Sequence, residues 1–131
     1  MISDTVERET IEKMVKSFYT KALKDDQVGP YFIRTLGDDM ESGKWPAHLT
    51  TLKDFWMLMM TGKSGYGGHP FPPHALIGPL YVETFDRWLE LFHETLHEYF
   101  THEIAEQFYN KSKIIANQMI DFLELEDEDE D

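Results

Sequence analysis

Residues 62–79 read GKSGYGGHPFPPHALIGP, and the fold turns on what lies to either side of them. Four glycines (Gly62, Gly65, Gly67, Gly68) and three prolines (Pro70, Pro72, Pro73) deprive this stretch of the conformations and N–H donors that a regular element needs. It reads as a loop. At about a dozen residues it has a length unusual in compact domains and common where a segment wraps a functional site. His74 closes the loop and opens the apolar run Ala75-Leu76-Ile77, which predicts a brief helix ended by Gly78-Pro79.

Both flanks carry the helical period. Upstream, Ile11, Met14, Val15, Phe18, Tyr19, Ala22 and Leu23 fall on one face of an amphipathic helix. Gly29-Pro30 stops it, and Tyr31-Phe32-Ile33 is then an apolar cluster of no more than one helical turn. After a polar linker from Gly37 to Lys44, a second stripe runs His48, Leu52, Phe55, Trp56, Met59, with Pro46 placed as an early helical residue. Downstream, Phe85, Trp88, Leu89, Phe92, Leu96 and Tyr99 make one long helix, and Ile104, Phe108, Ser112, Ile115, Met119 and Phe122 make the last. No segment keeps a period of two. The chain is therefore all-α, with about four main helices and a short fifth, without internal repeat or domain boundary.

Composition narrows the chemistry. At 131 residues and 41% hydrophobic, one domain can bury a sizeable core, which excludes a disordered chain. There is no Cys, so disulfides, thiolate metal sites and Cys nucleophiles are excluded, and any metal must be held by His or carboxylate. Net charge is −13, but Glu124 to Asp131 supplies seven carboxylates in eight residues and leaves the rest at −6. Such a surface argues against nucleic acid and anionic lipid as partners. No apolar run approaches a membrane span and the N-terminus lacks the basic start of a signal peptide, so the expected setting is cytoplasmic. Residues 1–123 are read as the domain and 124–131 as a solvated, disordered acidic tail.

Six histidines are the remaining chemical resource. A histidine on an apolar stripe, as His48 is, ordinarily completes a core through one satisfied hydrogen bond. Together with His74, however, it suits an iron porphyrin, which needs an imidazole on one axial side, a lined cavity on the other, and aromatic walls. Tyr19 and Trp88 lie on buried stripes and bring an O–H and an N–H inward, donors able to stabilise a diatomic ligand whose outer oxygen carries partial negative charge.

Phe18-Tyr19, Gly29-Pro30-Tyr31-Phe32, Trp45-x-x-His48, Phe55-Trp56, Gly62 with Tyr66-x-Gly68-x-Pro70, His74 and Arg87-Trp88-Leu89 occur in an order that resembles the bacterial group III truncated haemoglobins. The match runs over nearly all the chain to about Phe122. The resemblance implies a shortened globin, a two-over-two helical sandwich around one haem b. It implies His74 as the iron ligand, Phe32 as a corner aromatic packed on the haem, and Tyr19, His48 and Trp88 as the distal polar set. Leu52 is then the apolar distal contact, and Trp56, Tyr66, Ile77 and Phe85 are further haem-pocket residues. Oxygen, nitric oxide and carbon monoxide are the implied ligands. Nitric oxide dioxygenase- or peroxidase-like chemistry, which would need an electron donor, stays open.

Two histidines compete with these assignments. His69 stands between Gly68 and Pro70, whereas His74 is followed by a run able to clamp a helix on a porphyrin, so His74 is preferred. His93-x-x-x-His97, with Glu90, Glu94 and His102 nearby, has metal-ligand spacing on one helix face. A non-haem helical-bundle site also needs ligands from other helices, which the sequence does not reveal, so this pair reads as half-exposed surface. A haem-free globin-like interaction domain is the third reading, against which stands the joint presence of Tyr19, His48 and His74.

Overall fold

The computed structural model of the chain describes residues 2–62 and 81–122. Among them run five helices, α1 (Arg8–Lys24), α2 (Gly29–Leu36), α3 (Trp45–Thr61), α4 (Val82–Tyr99) and α5 (His102–Phe122). The only extended pairing among these residues is an isolated bridge between Ser3 and Phe100, which pins the N-terminal segment to the α4–α5 corner. The all-α expectation is met. The expected loop and short helix beyond Gly62, and the acidic tail, lie outside the described residues.

The expected stripe on α1 is the observed one: Ile11, Met14, Val15, Phe18, Tyr19 and Ala22 are all buried. That face is shared by three neighbours, because α1 packs against α2, α3 and α4, while α4 packs in turn on α5. Two helices thus lie over two, α1 with α3 and α4 with α5. Phe18, Trp45, Phe92, Phe100 and Phe108 fill the seam as fully buried rings, each removing on the order of 150–250 Å² from water. Among the described residues, no helix is long and apolar enough to cross a membrane.

At Gly29-Pro30 the structure corrects the sequence reading. The dipeptide does not leave a single turn behind it but opens the eight-residue helix α2. Proline at the first helical positions has its φ already set and lacks only an N–H that would have no intrahelical partner. Glycine answers a different need. A Cβ on Gly29 would lie 2.7 Å from the Leu23 carbonyl oxygen and 3.0 Å from that of Ala22, so only a residue without one lets the chain cross the end of α1 so closely. Gly62, at φ +74°, takes the left-handed conformation that closes α3, its N–H bonding to the Leu58 carbonyl at 2.8 Å.

Asp25 organises the same corner. Its Oδ2 accepts the N–H groups of Gln27 at 2.9 Å and Val28 at 3.2 Å, and its Oδ1 accepts Arg87 Nε from α4 at 2.8 Å. Burial pushes this carboxyl up, but the Arg87 bond and charge and the two backbone donors outweigh it and hold it below its usual value. With the folded-state pKa below the unfolded one, the stabilisation is complete above about pH 4 and is lost as pH falls through the folded-state value. Asp25→Asn keeps an oxygen for the turn and loses the charge, so it should cost about 1 kcal/mol at pH 7, and Asp25→Ala about 2–3 kcal/mol. Urea unfolding at pH 7 and again at pH 3 checks this, since the gap to wild type should narrow at the lower pH.

Candidate functional site

Three helices bring polar side chains to one aromatic enclosure. Tyr19 from α1 is 5% exposed. Its ring meets Phe32 of α2 edge-on at 5.1 Å and stands 5.5 Å from Trp45 and 6.1 Å from His48, both on α3. Trp88 of α4 reaches the same place from the opposite pair, edge-on to Phe18 at 5.1 Å and stacked on Phe92 at 4.8 Å. Its indole lies near enough to the Tyr19 hydroxyl to lower that group's pKa. An indole nitrogen is donor only, so toward Trp88 the phenol oxygen can only accept, and its own proton is left to be given elsewhere. Burial pushes the Tyr19 pKa far up, against a smaller lowering by Trp88, and the phenol stays protonated throughout the physiological range.

His48 completes the set. Its Nε2 is a buried atom, and its ring stands edge-on to Trp45 at 5.5 Å. Trp45 is in turn fixed by donating its indole N–H to the Gly37 carbonyl at 2.7 Å, which ties the start of α3 to the end of α2. The expected trio of Tyr19, His48 and Trp88 is thereby brought together. Trp45, read in the sequence only as a spacing marker before His48, contacts the rings of both Tyr19 and His48.

Other expected pocket residues fall at different depths. Phe32 and Leu52 are half-buried and pack on the core. Phe85 is half-buried on the first turn of α4, one turn before Trp88. Trp56 is 4% exposed and lies within the core, stacked on Phe92 at 5.0 Å and tilted against Phe108 at 5.9 Å. Tyr66, His69, His74 and Ile77 lie outside the described residues. Phe32, Leu36, Leu49, Leu52, Phe55 and Met59 pack against the core and remain only partly buried, Phe32 in contact with Tyr19. A half-covered apolar surface beside a few convergent donors is the usual make-up of a pocket for a flat apolar cofactor, and the residues present fit a porphyrin.

The second histidine cluster is also formed, and more fully than the sequence indicated. His93 and His97 are half-exposed, as expected, but α5 supplies a carboxylate to both: Glu106 Oε2 lies 2.6 Å from His93 Nε2 and 2.8 Å from His97 Nε2. These imidazole contacts hold the Glu106 carboxyl below its ordinary range. The ligand from another helix that the sequence did not reveal is therefore present. No local signal marks Glu106, because its partner helix is known only from the packing of α4 on α5.

Comparison with known proteins agrees with the geometry. The sequence profile described as bacterial-like globin matches residues 4–122. A group 3 truncated hemoglobin of Campylobacter jejuni is 31% identical over 120 residues, covering 92% of this chain and 93% of that protein. The crystal structure of a group III truncated hemoglobin from Campylobacter jejuni superposes with a TM-score of 0.87, covering 94% of this chain and 95% of that one at 31% identity.

Proposed function

The chain belongs to the bacterial-like globin family and is similar to group III truncated haemoglobins, and from that premise we propose that it binds one haem b through His74 and takes up diatomic ligands beside Tyr19, His48 and Trp88. The observation that carries this reading is the convergence of those three side chains, from three different helices, in one aromatic enclosure. Haem, when bound, supplies an iron able to take oxygen, nitric oxide or carbon monoxide. The chain's own contribution is to exclude water and to aim donors. Phe32, Leu52 and the other half-buried apolar side chains offer surface to the macrocycle, and Trp88, a donor only, leaves the phenol proton of its neighbour Tyr19 for the ligand.

Titrating the purified protein with haem tests the proposal. The expected result is one haem per chain with a globin-like absorption spectrum and one iron per chain. Two irons without porphyrin would instead support the non-haem reading. Turnover of nitric oxide or peroxide in this reading draws on the same pocket together with an electron donor.

The division into a globin domain, residues 1–123, and an acidic tail carries its own test. Removing residues 124–131 is expected to leave haem uptake and oxygen kinetics unchanged at physiological salt, where fields are screened beyond ~8 Å. Stopped-flow reduction of full-length and truncated protein at low and high salt checks it. A large difference confined to low salt would mean that the tail governs access of a charged electron donor.

A further inference from the structure

Across α4 from the aromatic enclosure, a second set of ligating atoms converges. Trp88 and Phe92 face α1 through Phe18, whereas His93 and His97, one turn apart, face Glu106 on α5. The two imidazole Nε2 atoms are 3.3 Å apart, and with Glu106 Oε2 they form a group whose ligand atoms all lie within 4.8 Å of one another. The His93 ring is held in place by stacking on Tyr109 of α5, centroids 3.9 Å apart and planes 19° from parallel. His102, one turn before Glu106, has its ring 5.3 Å from that of His97.

We propose that His93, His97 and Glu106 form a binding site for one divalent transition-metal ion of the zinc type, which clips α4 to α5 apart from the haem pocket. The dimensions suit such an ion. Bonds of ~2.0–2.1 Å in a tetrahedral site set neighbouring ligand atoms about 3.3 Å apart, which is the observed His93–His97 separation. Glu106 must withdraw by roughly 0.5–0.7 Å to match the same ~2.0–2.2 Å bonds, a small movement for a half-exposed side chain at the end of three rotatable bonds. The donor set also selects the ion. Two imidazoles with one carboxylate suit zinc and its neighbours, while magnesium and calcium require mostly oxygen ligands and cuprous ion prefers sulfur. With side chains 33–37% exposed, the fourth position opens to solvent beside His102, as in sites that keep a water.

Binding that joins two helices in the native state alone must raise stability by mass action. The test uses the full-length protein with zinc ion as the probe, reading affinity by equilibrium dialysis and Tm by far-UV circular dichroism. The expected result is one zinc bound per chain, with a zinc-dependent rise in Tm. His93→Ala, His97→Ala and Glu106→Gln each remove a direct ligand and should weaken zinc by more than the ~10–100-fold that loss of an outer-shell partner costs, and so abolish that rise at zinc concentrations that saturate the wild type. Glu106→Gln is the most conservative of them, since it preserves side-chain size and an oxygen and removes only the anionic ligand. Excess magnesium should not displace the zinc. Zinc affinity and Tm rise unaltered in all three variants, or displacement by magnesium, would overturn the proposal and assign the metal to the acidic tail or to other histidines.

Discussion

His74→Ala protein titrated with haem is expected to lose, or retain only weakly, the strong absorption band that wild-type protein develops, whereas His69→Ala should keep it. An axial imidazole is a direct bond to the iron, so its removal should cost more than the ~10–100-fold that loss of an outer-shell partner costs a metal site. The assignment rests on neighbours in the sequence: Ala75-Leu76-Ile77 after His74 can pack a helical turn on an apolar macrocycle, and Gly68 and Pro70 around His69 cannot. His74→Gly supplies the control for general damage. Free imidazole can enter the space left by the side chain, so adding it should restore the band if the defect is the missing ligand alone. Restoration in His74→Gly with no loss in His69→Ala is the expected pattern. The reverse pattern would move the ligand to His69, and loss in neither would leave His48 as the residue to replace next.

How much of this was legible depended on whether a signal was local. The α1 stripe could be read because six of its apolar positions obey one period and all face the core. On α4 the reading was rotated slightly. Leu91 and Thr95 are buried, and Thr95 hides its polarity by bonding its hydroxyl to the Leu91 carbonyl at 2.8 Å, so an apolar count cannot register it. The helix α2 escaped because eight residues carry too little period of their own, and tertiary contacts of Phe32 with Tyr19 and Trp45 hold it. At the site, a stripe indicates that Tyr19 and Trp88 point inward. That one comes near the other follows only from the packing of α1 on α4, as the meeting of Glu106 with His93 follows from that of α4 on α5.

Tyr19→Phe is expected to speed oxygen release on the order of ten- to a hundredfold, the kinetic equivalent of one hydrogen bond of roughly 1.5–3 kcal/mol to a partly charged acceptor. Carbon monoxide release should change much less, because its oxygen carries less negative charge. Equal effects on both ligands would mean that the ring acts through size. Trp88 is expected to act through Tyr19, since its indole, a donor only, lies near the phenol oxygen and lowers that group's pKa. Trp88→Phe should therefore accelerate oxygen release less than Tyr19→Phe, by freeing the phenol to turn away. The double variant separates relay from direct contact. If Trp88 works by orienting Tyr19, removing both costs no more than removing Tyr19 alone, a coupling of the kind that contacting residues show. If the two effects multiply instead, the indole reaches the ligand itself. Flash photolysis of the four proteins with each gas distinguishes these outcomes, and burial of Tyr19 at 5% exposure ensures that solvent does not replace the missing donor.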